Sequence, residues 1–301
     1  MKKLITICFL IATIFVVNAQ GLEVFTKRGK FGFKDQRGKI IIPLKYDSYE
    51  HTLNYSEDYK NALIAVKLND KWGFIDKTGQ EIIPPKYDDQ TKNIGFTQQY
   101  KNGLVAVQQN GKWGFIDQTG KEIISPKYDS FSRDFSEGII LVSLNDKYGY
   151  VDMSGKEIIS PKYGYSKDFS EGIAAVRLNG KWGFVDQTGK EIILPIYDET
   201  KSFSEGLVAV QQNNKWGFID KSGKLIIPLK YNSASLFSEG LARISIYGTY
   251  GNDICGFIDK KGVVVIPPKY NMVDDFKDGK AKVYVYLGDA YYIDKNGNVI
   301  E

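Results

Sequence analysis

The chain has 301 residues, of which 43% are hydrophobic, 14% aromatic and 25% charged, with a formal net charge of +4. Lysines and acids alternate with no basic block, which excludes the one-faced phosphate neutralisation that nucleic-acid binding needs. Of two cysteines, Cys8 lies in an N-terminal apolar run, so Cys255 has no partner for an internal disulfide once that run is removed.

The chain opens with Lys2 and Lys3, followed by an apolar run from Leu4 to Val17 and by Val17-Asn18-Ala19 before Gln20. This is the layout of a cleavable secretory signal over 1–19. The run is shorter than the ~20 residues of a membrane span, and no later stretch approaches that length. The expectation is a mature chain over 20–301 with no transmembrane segment. It would lie in the periplasm, at the cell surface or outside the cell.

From there one motif recurs. Aspartates fall at Asp35, Asp76, Asp117, Asp152, Asp186, Asp220, Asp259 and Asp294, each with a glycine three residues on. The spacings are 41, 41, 35, 34, 34, 39 and 35 residues, which is the period of a repeat architecture. Within one unit, Leu104 to Val107 reads as a first strand. Trp113 and Phe115 alternate with smaller or polar residues in a second. Asp117-x-x-Gly120 suits a type I turn with a left-handed glycine, and Ile123-Ile124 make a third strand ended by Pro126. A tyrosine closes the unit, and a linker ending in Phe-Ser-Glu-Gly or a variant leads to the next. No segment shows helical periodicity. The prediction is an all-β repeat protein of eight short three-stranded units in a single domain over 20–301.

The residues that could carry chemistry mostly read as structural. Trp72, Trp113, Trp182 and Trp216 share one slot, where they could form aromatic platforms for a glycan or peptide. Phe31, Tyr148 and Cys255 fill the same slot elsewhere, which suits packing between units, with the following glycine allowing close approach. Asp76, Asp117, Asp186 and Asp220 each stand alone before a turn, unlike the clustered oxygen ligands of a calcium loop. Glu137, Glu171, Glu205 and Glu239 read likewise as turn residues. His51 is the single histidine, which excludes a zinc site with several histidine ligands. No nucleophile elbow or phosphate loop is present. The expectation is no enzyme, no cofactor and no metal. Three insertions, within Asp47–Asn61, Asp88–Asn102 and Ser245–Ile254, break the repeat. The first carries Tyr49, His51, Tyr55 and Tyr59 and the third Tyr247 and Tyr250, residues suited to recognition.

The pattern Lys-Trp-Gly-Phe-Ile-Asp-x-x-Gly-Lys-Glu-Ile-Ile-x-Pro-x-Tyr-Asp resembles the WG-repeat (KWG) family of bacterial proteins, over essentially everything after the signal. Its clearest copies begin at Lys71, Lys112, Lys181 and Lys215. Phe31, Tyr148, Cys255 and Ala290 depart at the tryptophan, and Tyr291 replaces the glycine in the last unit. The resemblance implies a β-propeller-like fold built for binding, with no agreed ligand. An open superhelical array of β-units is the alternative architecture, since units near 34 residues are shorter than the ~40–45 of four-stranded WD40 blades. The expected function is a binding scaffold for a protein or peptide, with a cell-wall or glycan-binding protein as the alternative.

Overall fold

The structure, a computed structural model, describes residues 22–50, 63–76, 78–88, 103–117, 119–132, 135–248, 251–285, 288 and 290–300. Each repeat is built around a hairpin whose turn is written in the sequence. In the fifth repeat Ile173–Leu178 pairs antiparallel with Lys181–Asp186. Asn179 and Gly180 between them have φ of 51° and 81°. Two successive left-handed residues make a type I′ turn, whose twist matches that of the strands, and Asn and Gly reach it at least cost. Asn110-Gly111 and Asn213-Asn214 turn their hairpins in the same way.

Asp186 then starts the turn to the third strand. Gly189 N–H donates to Asp186 O at 2.9 Å, and Asp186 N–H donates to Lys190 O at 3.0 Å. The third strand, Glu191–Tyr197, pairs Ile193 with Phe184 and Tyr197 with Trp182. Four residues on the third strand thus span two on the second, and the excess bulges out. This corrects one expectation. The strand does not end at proline: Glu122–Tyr128 runs through Pro126, because the bulge takes the proline out of the hydrogen-bond ladder. Beneath the bulge lies the glycine of the Trp-Gly pair. A Cβ on Gly183 would stand 2.5 Å from Ile193 O and 2.6 Å from Pro195 N, so only glycine fits. The close approach is therefore within one sheet rather than between units.

The expected three-stranded unit holds for three of the eight described sheets, and the other five gain a fourth strand. The linker contains a strand of its own, Tyr165–Ser166, whose residues pair with Arg177 and Val176. Its Ser-Glu-Gly end is the reason. Glu171 and Gly172 take φ of 54° and 83°, and Ser170 and Ile173 exchange backbone hydrogen bonds, so the chain doubles back along the following strand. Ser48–Glu50, Glu199–Thr200 and Ser233–Ser238 complete four-stranded sheets in other repeats.

Among the described residues there are eight sheets, each an antiparallel meander in chain order, which is the topology of a propeller blade. The all-β repeat class is as predicted. The chain divides into two compact units, Met1–Arg133 and Asp134–Glu301. In both, the cores lie between neighbouring repeats. In the first unit Trp72, Phe74 and Tyr87 pack with Val105, Val107 and Ile116 of the next repeat. In the second, Trp182, Phe184 and Tyr197 pack with Val208, Val210 and Ile219. A sheet of this size buries little alone, so each repeat depends on its neighbour.

Candidate interaction surface

The signature residues hold the repeats together. Trp72, Trp113 and Trp182 are 1%, 8% and 4% exposed, while Trp216 is half-buried. Phe131 meets Trp113 edge-on at 5.1 Å, and Tyr165 meets Trp182 at 5.7 Å. The slot is a packing slot. Acrylamide quenching of the native chain should therefore come mainly from Trp216. Trp216→Phe should cut the Stern–Volmer constant to about half or less. An unchanged constant would show that the other indoles are open to solvent.

The turn aspartates act as caps. Asp186 Oδ1 accepts from Thr188 N–H at 2.9 Å, Lys190 N–H at 3.0 Å and the Thr188 hydroxyl at 2.6 Å. Asp76, Asp117 and Asp220 accept the same set from Thr78 and Gln80, Thr119 and Lys121, and Ser222 and Lys224. The neighbouring hydroxyl, foremost, and the turn amides hold the Asp186 and Asp220 carboxyls below the usual range. Each carboxylate is thereby committed to its own loop.

The glutamates of Ser-Glu-Gly do more than turn the chain. The Glu171 carboxylate accepts from Gly206 N–H of the next repeat at 2.9 Å, and Glu205 accepts from Gly240 N–H at 3.1 Å. Lys221 and Lys260 then pair with Glu171 and Glu205 at 3.2 and 2.9 Å. The serines form a parallel series, Ser170 donating to Phe203 O at 2.9 Å and Ser204 to Phe237 O at 2.7 Å.

A third series joins the third strands. The Tyr46 hydroxyl donates to Glu81 at 2.7 Å, Tyr87 to Glu122 at 3.1 Å and Tyr163 to Glu191 at 2.9 Å. The lysine before each tyrosine pairs with the same glutamate, as Lys45 with Glu81 and Lys86 with Glu122 at 2.7 Å. Lys45 and Lys86 foremost hold the Glu81 and Glu122 carboxyls down. Burial first, and the glutamate second, push the tyrosine hydroxyls up. Sequence reading missed this linkage. Its signal was the joint loss of both charges at Ile196 and Leu225.

Of the loop residues, Tyr49 is half-buried. It packs on Phe31 and Phe33 with ring centroids 5.1 and 5.9 Å apart, as part of the core between the first two repeats. Tyr247 is 71% exposed, with Lys215 Nζ 5.9 Å from its ring centroid. His51, Tyr55, Tyr59 and Tyr250 lie outside the described residues. Cys255 is buried in the tryptophan slot, and burial pushes its thiol pKa up. Among the described residues no three His, Cys, Asp or Glu side chains stand together as a metal site, and no helix is long and apolar enough to cross a membrane.

Several exposed apolar side chains lie on third strands of the second unit or just before them. Leu194 is 67% exposed, Ile196 48%, Leu225 47%, Val263 57% and Val264 46%. Ile196, Leu225 and Val264 stand where other repeats carry the Lys–Glu pair.

Fold and surface together define an all-β repeat protein whose recurring residues fasten sheet to sheet and whose departures from the repeat reach the surface. The sequence model of the family described as WG containing repeat matches residues 31–72, 72–113, 113–148, 148–182, 182–216, 216–250 and 256–285. The chain belongs to the WG-repeat family. No curated protein matches it. Among solved structures it is similar to a eukaryotic initiation factor at 9% identity, over 94% of this chain and 85% of that one, with TM-score 0.47. It is also similar to BamB from Moraxella catarrhalis at 10% identity, over 93% of each chain, with TM-score 0.34. The WD40 beta propeller domain of Doa1 matches at 11% identity, over 78% of this chain and 93% of that one, with TM-score 0.29.

Proposed function

We propose that the chain is a non-enzymatic binding scaffold, exported by its N-terminal segment to the cell envelope or beyond, that holds a protein or peptide along one rim of its repeats. One observation carries this reading: apolar residues replace ion-pairing ones at the third-strand stations of the fifth to seventh repeats, and they are exposed. Exposed apolar side chains grouped in this way mark interaction sites more often than isolated ones do. Stacked repeats favour such a role, because successive sheets present one extended surface.

The test is affinity capture on the full chain after export, with envelope proteins and purified cell-wall glycan offered separately. A paired variant, Ile196→Lys with Leu225→Glu, restores the ion pair found at other junctions and removes part of the apolar strip. A protein retained by the parent and lost by the paired variant is the expected result. Retention of glycan alone, unaffected by the substitutions, would replace the protein-scaffold reading with glycan binding.

A further inference from the structure

The Lys–Tyr pair that closes a third strand holds a glutamate from the next repeat. Lys86 Nζ and the Tyr87 hydroxyl lie 2.7 and 3.1 Å from Glu122 Oε1, and Lys162 and Tyr163 lie 3.5 and 2.9 Å from Glu191 Oε1. Three junctions of the second unit break this arrangement in different ways. Between the fifth and sixth repeats both charges are gone: Ile196 replaces the lysine and Leu225 the glutamate. Between the sixth and seventh only the glutamate is gone. Val264 stands in its place, while Lys230 and Tyr231 remain. At the last, Val299 replaces the glutamate beside Lys269 and Tyr270, but there Tyr270 and Tyr291 share a hydrogen bond.

The leftover half is visible. Tyr231 is 3% exposed, and its buried hydroxyl has no hydrogen-bond partner among the described residues. Lys230 Nζ sits 5.1 Å from the Tyr231 ring centroid, as the matching lysines do on theirs, with no carboxylate in an ion pair with it among the described residues. Buried polar groups are normally satisfied, and an unsatisfied one calls for a reason. The junctions match in other respects. A Cβ on Gly262 would meet Ile227 of the preceding repeat, just as one on Gly120 would meet Ile83.

We infer that Lys230 and Tyr231 form an open carboxylate clamp, and that a partner peptide supplies the acid this junction lacks. The inference rests on the scaffold reading and names the chemistry of the partner. The filled clamps show which group fits, a carboxylate that accepts from an ammonium and a phenol together. Val264 stands at the glutamate station and is 46% exposed, so the side from which an acid would enter faces solvent. Exposed Leu225 and Ile196 at the preceding junction, and exposed Val263 next to Val264 in sequence, supply apolar flanks. The segment recognised is therefore an acidic residue set among apolar ones.

The experiment uses the full chain labelled with 3-fluorotyrosine, with the Tyr231 signal assigned by Tyr231→Phe. The probe is the peptide acetyl-Ser-Val-Ile-Glu-Val-Ile-Ser-amide, and its control carries Gln for Glu. The Glu peptide should shift the Tyr231 resonance and bind about tenfold tighter than the Gln peptide, the usual worth of a charge-assisted pair. Val264→Glu fills the clamp from within. It should abolish the preference and raise the melting temperature. Equal binding of the two peptides, or an unmoved Tyr231 signal at millimolar peptide, overturns the clamp. A captured envelope protein held equally by Val264→Glu and by the parent also overturns it, while leaving the scaffold reading standing.

Discussion

Gly183→Ala is expected to destabilise the second unit by about 3 kcal/mol or more, although it adds a single methyl group. The methyl carbon would lie 2.5 Å from Ile193 O, 2.6 Å from Pro195 N and 2.8 Å from Leu194 C. All three are backbone atoms of the bulged third strand, so no side chain can swing away. Relief requires the bulge to lift, which would break the pairing of Phe184 with Ile193 and of Trp182 with Tyr197. The measurement is a thermal melt of the full chain followed by circular dichroism. For a unit of this size the loss corresponds to a fall of about 6–12 °C. Gly206→Ala is the matched control. Gly206 has φ of 85°, and nothing lies within 4 Å of a Cβ built there. Its cost is the left-handed backbone alone, about 1–2 kcal/mol. Equal melting shifts for the two variants would refute the close-approach account of the Trp-Gly pair.

The contrast between those glycines shows what the sequence made legible. The Asp-x-x-Gly turn, the Trp slot and the eight-fold repetition were readable because each rests on local chemistry. An aspartate reaches amides two and four residues away, and a strand alternates every second residue. The Trp-Gly glycine is legible as a point of close approach but not as one within its own sheet, because the atoms it avoids arrive through a bulge about ten residues downstream. The fourth strand was hidden for a related reason. Tyr165–Ser166 is two residues long, far too short for periodicity to register, and only the turn at Glu171-Gly172 creates it. Left-handed φ at a glutamate is unusual, since a residue with a Cβ pays steric strain there. The compensation is the bond that Gly206 N–H, one repeat away, donates to the Glu171 carboxylate.

The surface was legible only through exceptions. Aromatic content drew attention to the inserted loops, yet Tyr49 proved to be part of the core between the first two repeats. The departures on which the proposed surface rests sit at ordinary-looking positions. Ile196, Leu225 and Val264 are unremarkable in one repeat, and gain meaning only when each junction is compared with its neighbours. Paired loss at one junction and half loss at the next form a long-range pattern, across residues about 30 apart. Single-repeat reading cannot see it, because the glutamate and the tyrosine that holds it belong to different sheets.

The same linkages predict how stability follows pH. In the folded chain the hydroxyls of Ser154, Thr188 and Ser222, followed by turn amides, hold Asp152, Asp186 and Asp220 below the usual carboxylate range. Lys45 and Lys86 do so for Glu81 and Glu122, from one repeat to the next. Unfolding returns these groups to ordinary values near 4, so the unfolded chain binds more protons than the folded one as acid is added. Their contribution is present above the ordinary carboxylate range and is lost as pH falls through the lower, folded values. The tyrosines work in the opposite sense. Burial, then Glu81, Glu122 and Glu191, raise Tyr46, Tyr87 and Tyr163 above 10, where the unfolded phenol titrates. Their contribution is complete below pH about 10 and is lost as pH rises through the folded values. Urea midpoints should therefore hold level between about pH 5 and 9 and fall steeply on both sides. Asp186→Asn with Asp220→Asn should lower the neutral plateau and blunt the acid arm, while Tyr163→Phe blunts the alkaline arm alone. A midpoint unchanged down to pH 3 would mean that the turn and junction carboxylates contribute nothing. The repeats would then be joined by their apolar faces only, and the ion-pair series along the third strands would be incidental to the fold.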